Sequence, residues 1–204
     1  NAIPANSQEV SLGLAHALLA HCVALGEIVL SPSEKLRGSG RDLPNAYHSA
    51  AVSLKRSFRN AVGPWICTKF AFPYLKESDN ASVINAASTG SQSAYPNNSA
   101  YGTSKGGIRL QTQNVAVDLA PYGIRVNCYG PTAIATNMVT DFIKQADDPA
   151  AFEEAMISTS LIPRLGLPTE VGELVCFLAS PESGFINAAY ILIDGGSLAW
   201  RGTV

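Results

Sequence analysis

Ser82-Val83-Ile84-Asn85-Ala86-Ala87-Ser88 and Tyr101-Gly102-Thr103-Ser104-Lys105 are the two stretches on which the reading of this chain turns. The first is a short run rich in β-branched and small residues, which predicts a strand over 82–86 followed by small and polar residues. The second lies inside a helical pattern that runs from about residue 99 to 120 and stops before Pro121 and Gly123. Tyr101 and Lys105 are four apart, about one helical turn, so the phenol and the ammonium share a face. An unperturbed phenol titrates at about 10, and a neighbouring ammonium favours its ionised form. Such a shift brings a phenol toward the range in which a general acid or base works near neutrality. Ser88 ends the strand thirteen residues before the tyrosine, where its hydroxyl can meet the phenol and hold a substrate oxygen. A tyrosine and a lysine at this spacing also occur in many helices without chemistry, so the surroundings decide.

Outward from these stretches, short apolar runs alternate with longer helical patterns. Residues 2–5 read as the tail of a strand, and 8–23 as a helix capped by Asn6 or Ser7. Residues 27–30 form a short strand, and 31–41 a loop rich in Gly and Ser. A long helical pattern covers 46–76, and Asn60, Gly63 and Pro64 predict a bend in it. Residues 124–128 are the next strand, 131–137 a loop, and a variable helical segment follows with Met138, Phe142, Phe152 and Met156. Pro168 starts a helix to about residue 178, with Glu170 in its first turn and Val171, Val175 and Leu178 facing inward. Tyr190–Ile193 reads as a last, buried strand closed by Asp194-Gly195-Gly196. This alternation argues for βα units: an α/β chain with a doubly wound parallel sheet, three-layer αβα, as a single domain over 1–204.

Composition supports a folded domain. The 204 residues are 47% hydrophobic and 15% charged, with a net charge of -2. Lys and Arg form no cluster, so a nucleic-acid surface is not expected. The apolar runs fall short of the roughly 20 residues of a membrane span. Cys22, Cys67, Cys128 and Cys176 form no C-x-x-C pair and read as free buried thiols in a reducing, cytoplasmic setting. The three histidines have no ligand spacing, so no metal site is expected.

Further stretches fall in order around the first two. Tyr122-Gly123-Ile124-Arg125-Val126-Asn127 follows the helix, Pro163 to Val171 reads Pro-Arg-Leu-Gly-Leu-Pro-Thr-Glu-Val, and Ile193-Asp194-Gly195-Gly196 comes last. Taken together, the chain resembles the short-chain dehydrogenase/reductase family over nearly its whole length. The resemblance implies a Rossmann-like fold and a catalytic set of Asn60, Ser88, Tyr101 and Lys105. Tyr101 would be the acid/base, Lys105 would lower its pKa and bind the nicotinamide ribose, Ser88 would orient the substrate, and Asn60 would support a proton-relay water. The cofactor would be NAD or NADP, held by Asn6, Tyr101 and Lys105 and by the loop residues Pro131, Thr132, Ile134 and Thr136. The substrate would be a small-molecule secondary alcohol or ketone, met by Ser88 and, by position, by Tyr95, Met138 and Phe142. The resemblance further implies a homo-oligomer, tetramer or dimer, built through the long helices and the last strand, with no nucleic-acid or membrane partner.

The sequence also departs from the family. The glycine-rich turn T-G-x-x-x-G-x-G, which seats a pyrophosphate at a helix N-terminus, is not found. Ala2-Ile3-Pro4-Ala5-Asn6 resembles the tail of the family's third strand, with Asn6 where an Asp touches adenine. Ser31-Pro32-Ser33-Glu34 stands where the family has N-N-A-G, and Thr132 stands in place of a glycine. The expectation is therefore a Rossmann-like domain that is N-terminally incomplete by about two βα units. A non-catalytic fragment that binds no dinucleotide is the alternative. Epimerisation or halide elimination on the same scaffold is a third reading, and Lys105 speaks for a nicotinamide cofactor and against elimination.

Overall fold

Three parallel strands order the described part of the chain: β1 (Ser82–Ala86), β2 (Arg125–Pro131) and β3 (Tyr190–Ile193). The computed structural model describes residues 58–95 and 98–199. Asn6, the strands expected at 2–5 and 27–30, the helix at 8–23 and the start of the 46–76 helix lie outside them. The sheet order is β1-β2-β3, with Ser82 opposite Arg125, Ala86 opposite Tyr129, and Cys128 to Pro131 opposite Tyr190 to Ile193. The helices are α1 (Gly63–Leu75), α2 (Ser99–Leu119), α3 (Asn137–Lys144), α4 (Pro149–Ile157) and α5 (Pro168–Ala179). No described helix is long and apolar enough to cross a membrane.

The period of two along each strand sends alternate side chains to opposite faces. Val83 and Val126 pack with Ala116 and Leu119 of α2 and with Phe72 and Leu75 of α1. Cys128 packs with Ile108 of α2, and the Asn85 amide donates to the Thr112 hydroxyl at 3.0 Å. On the other face, the Ser82 hydroxyl donates to the Leu178 carbonyl of α5 at 3.1 Å. Arg125, Ser82's partner in register, turns the same way. Its guanidinium makes five hydrogen bonds: to the Leu178 carbonyl (2.9 Å), the Ser183 carbonyl (3.1 Å) and hydroxyl (2.7 Å), the Ser180 carbonyl (3.1 Å) and Asn80 Oδ1 (3.3 Å). Helices therefore cover both faces of a parallel sheet, which is the doubly wound, three-layer arrangement expected from the alternating pattern.

The buried face of α2 is Ser104, Ile108, Thr112, Ala116 and Leu119, a regular stripe at helical spacing. A 3₁₀ turn over Ala120–Tyr122 continues it, and Gly123 takes φ 70°, a left-handed value that glycine reaches without cost. The bend expected near Asn60 is a π-helical turn, Phe58–Val62, running into α1. Pro64 lacks an N–H and so cannot close the bond that would carry a regular α-helix through this point.

Four local expectations are corrected. β2 runs on to Pro131, because Gly130 and Pro131 pair with Leu192 and Ile193. The segment after residue 137 is two helices, since Asp148 caps a new one by accepting from the Ala151 N–H at 3.0 Å, with Pro149 in its first turn. β3, read as buried, is only half-buried, with Leu192 exposed, because among the described residues it is an edge strand. Of the three described cysteines Cys128 is buried and Cys67 half-buried, but Cys176 is exposed, on the outer side of α5.

Candidate active site

β1 ends at Ala86, and the chain stays extended at Ser88 (φ -172°, ψ 159°) before turning into a 3₁₀ turn, Thr89–Ser91. Ser88 caps that turn: its hydroxyl accepts from the Gly90 N–H at 3.1 Å, and its own N–H donates to the Ser91 hydroxyl at 3.1 Å. The first turns of α2 pass alongside. A Cβ on Gly90 would sit 3.3 Å from Tyr101 Cε1 and 3.5 Å from the Ser88 hydroxyl. The phenol ring and the serine hydroxyl thus flank one point, and the glycine there lets them approach. Gly90 was not among the residues singled out from sequence; it is one small residue among several in this turn.

Lys105, one turn beyond Tyr101, is half-buried and donates from Nζ to the Ala86 carbonyl at 2.8 Å. Its ammonium lies 6.0 Å from the Tyr101 ring centroid. Burial, with the positive charge of Arg59 as a second cause, holds the lysine pKa down at about 8. Asn60, in the π turn, donates from Nδ2 to the Ser104 hydroxyl at 3.0 Å, and Ser104 donates to the Tyr101 carbonyl at 2.8 Å. Asn60 is thereby tied to the helix between Tyr101 and Lys105. Ser104 was also missed; its only sequence signal was a small polar residue three positions after the tyrosine. Ser88, Tyr101 and Lys105 are brought together at the carboxyl end of β1, and Asn60 reaches them through Ser104 of α2.

A cleft of about 300 Å³ opens beside Tyr101, lined by Gly90, Gln92, Tyr95, Asn98, Tyr101 and Gly102 among others. Tyr95 donates to the Thr89 hydroxyl at 3.1 Å, which fixes it as one wall. Met138 and Phe142, on α3, are more than half exposed and do not line this cleft.

The loop after β2 carries the other expected contacts. Pro131 closes the pairing with Ile193, and the Thr132 N–H donates to the Ile193 carbonyl at 3.4 Å. Ile134 is buried and bridges to Gly166, with the Ala135 N–H on the Gly166 carbonyl at 2.8 Å and the Gly166 N–H on the Ala133 carbonyl at 3.0 Å. Thr136 Oγ1 is buried and has no hydrogen-bond partner among the described residues. A buried hydroxyl left unpaired is unfavourable by about 1–3 kcal/mol, so it suits a ligand that brings a polar group. With the desolvated ammonium of Lys105, this donor set fits the amide and ribose end of a nicotinamide dinucleotide. Asn6, expected at the adenine end, lies outside the described residues.

Comparison with known proteins agrees with this arrangement. Residues 51–197 match the family model described as enoyl-(acyl carrier protein) reductase. The chain is similar to levodione reductase of Leifsonia aquatica, 33% identical over 162 residues, which cover 78% of this chain and 61% of that protein. The solved structure of Thermoplasma acidophilum aldohexose dehydrogenase, ligand-free, superposes with a TM-score of 0.70 at 31% identity, covering 77% of this chain and 63% of that one. A 4-hydroxyisoleucine dehydrogenase mutant complexed with NADH and succinate gives a TM-score of 0.69 at 26% identity, over 76% and 62% of the two chains. The fold is accordingly Rossmann-like. The chain spans between about half and two thirds of the lengths of the relatives it matches.

Proposed function

We infer that this chain, which belongs to the short-chain dehydrogenase/reductase family, forms the catalytic part of an NAD(P)-dependent oxidoreductase that interconverts a secondary alcohol and a ketone. The observation that carries this reading is the convergence of the Tyr101 ring and the Ser88 hydroxyl on one point over Gly90, with the Lys105 ammonium held behind them. When bound, the nicotinamide would supply or accept the hydride.

The chain's own residues do the rest. The Ser88 hydroxyl, already turned toward the ring by its bond to the Gly90 N–H, holds the substrate oxygen. Tyr101 Oη gives a proton to that oxygen in reduction and takes it back in oxidation. Lys105 Nζ spends one proton on the Ala86 carbonyl and keeps two for the cofactor ribose. Asn60 holds the amino end of α2 in place through Ser104. Thr136 meets the polar end of the nicotinamide. The cleft at Tyr95 receives a small molecule. Trp65, Leu110 and Val117 stand exposed on α1 and α2, which suits a homo-oligomer, dimer or tetramer, built on those helices.

The test is turnover by the full-length protein. Dinucleotide reduction is followed by absorbance against a panel of cyclic and acyclic secondary alcohols, and its oxidation against the matching ketones. Tyr101→Phe should lower kcat by about 10²–10⁴-fold while the dinucleotide still binds and the melting temperature holds. A wild-type protein that binds no dinucleotide and turns over no member of the panel would favour the non-catalytic reading.

A further inference from the structure

The turn that carries Ser88 is fastened from across the sheet. Tyr190, the first residue of β3, pairs in register with Cys128 of β2. Its ring lies over Gly130, where an added Cβ would come within 2.3 Å of the Tyr190 oxygen and 2.5 Å of Cε2. Glycine at 130 is what lets the ring lie against the strand. The Arg109 guanidinium of α2 sits 4.7 Å from the ring centroid, within cation–π range. The ring is therefore in contact with both a strand and a helix, and its hydroxyl donates to the Ser88 carbonyl at 2.7 Å. The same carbonyl accepts from the Ser91 N–H at 2.9 Å and from the Ser91 hydroxyl. Burial pushes the Tyr190 phenol up, so it stays protonated, and a donor, across the neutral range.

We propose that Tyr190 is a positioning residue for the active site: its hydroxyl anchors the Ser88 peptide to β3 and so fixes where the Ser88 hydroxyl stands beside Tyr101. The Ser88–Ser91 bonds are local and set only the shape of the turn. The Tyr190 bond spans 102 residues of sequence and, beside the Ala87 N–H on the Tyr129 carbonyl at 2.8 Å, ties the turn to the sheet at Ser88 itself. A turn left free to move by a fraction of an ångström would hold the substrate oxygen less well in the transition state than in the ground state. This rests on the reading in which Ser88 orients the substrate.

The experiment is a double-mutant cycle in the full-length protein between Tyr190→Phe and Ser88→Ala. Phenylalanine keeps the ring and its packing and removes only the hydroxyl. Tyr190→Phe is expected to lower kcat about tenfold, one hydrogen bond's worth, with KM and dinucleotide affinity within twofold. In the Ser88→Ala background the same change is expected to do nothing further, since the hydroxyl it positions is gone. Tyr190→Phe with unchanged kcat, or with a tenfold loss that persists in the Ser88→Ala background, overturns the proposal. Ser88→Ala and Tyr101→Phe are measured first: if neither loses activity, the catalytic reading falls, and that result is distinct from a failure of Tyr190 alone.

Discussion

The two ends of the sheet are built from similar polar residues used in opposite ways. At the amino ends of β1 and β2, Ser82 and Arg125 spend their donors on carbonyls of α5 and of the turn after it. Asn127 is fully buried, donates to the Ile186 carbonyl at 2.8 Å and accepts from the Ala189 N–H at 3.0 Å. At the carboxyl ends the groups are left partly unsatisfied. The Ser88 hydroxyl accepts one backbone N–H, Thr136 Oγ1 has no partner among the described residues, and Lys105 carries a charge that its surroundings resist. In parallel α/β sheets ligands bind at the carboxyl ends of strands. The difference teaches that polarity answered by protein holds this fold together, whereas polarity left open is available to a ligand.

The largest effect that would break this comparison lies at the amino end. Arg125→Leu keeps the apolar stem and removes five hydrogen bonds, leaving the Leu178, Ser180 and Ser183 carbonyls with only the Ser82 and Ser183 hydroxyls and the Ser183 and Ile186 N–H groups as donors. The expected loss is about 3 kcal/mol of stability. For a chain of this size that is a fall of roughly 6–12 °C in Tm, read by calorimetry. Activity per folded molecule should stay within twofold. A variant that keeps its Tm but loses turnover would place Arg125 with the chemistry and end the division between the two ends.

Lys105 gives the intermediate test, and its sign is opposite for stability and for binding. Its folded pKa is about 8 against the usual 10.5, so the fold disfavours the ammonium. Between those values the unfolded chain binds more protons, and this lysine's contribution to stability rises with pH. Below about pH 8 its cost is fully present, so Lys105→Met should be slightly more stable than wild type at neutral pH. Dinucleotide affinity runs the other way. It should hold below about pH 8, fall by about tenfold above it as the ammonium is lost, and be low and flat with pH in the variant. Fluorescence titration across the pH range reads both curves. A variant that is less stable and binds dinucleotide normally would make Lys105 a structural residue like Arg125.

How much of this was legible in the sequence follows from how local each signal is. The strand Ser82–Ala86 was marked by its own β-branched residues, and Tyr190–Ile193 by its apolar run before Asp194-Gly195-Gly196. The pairing of Tyr101 with Lys105 needed only one helical turn, and the bend near Asn60 was announced by Gly63-Pro64. What escaped was non-local. Tyr190 reaches Ser88 across 102 residues, and Asn60 reaches Ser104 across 44, distances at which no period or spacing carries information. Gly90 and Gly130 matter for what they leave empty, and a sequence shows no empty space. Burial misled in two places: Cys176 and Leu192 are apolar residues in regular elements, yet both face outward. Their pattern resembles that of core positions, and the pattern alone does not show which face of an element is covered.

The smallest effect sharpens the comparison because it concerns a structural pair placed at the functional end. Arg164 and Glu170 hold the loop between α4 and α5 in a two-pronged contact, 3.0 and 2.6 Å, and Glu170 also accepts the Leu167 N–H at 2.7 Å. The Arg164 hydrogen bonds, and then the Leu167 N–H, hold the Glu170 carboxyl down at about 2. A depressed carboxyl contributes stability above its ordinary pKa and loses it as pH falls toward about 2. The pair is exposed, so the contribution is screened and small. Glu170→Gln should lower Tm by about 1–2 °C at neutral pH, and the gap between variant and wild type should close toward pH 2. The same loop carries Gly166, which bridges to Ile134 just ahead of Thr136. If the pair only shapes the loop, kcat and dinucleotide affinity stay within twofold of wild type. If affinity falls further than that small loss of Tm explains, the open hydroxyl of Thr136 is being aimed by this ion pair, and the boundary between answered and unanswered polarity runs through the loop rather than along the sheet.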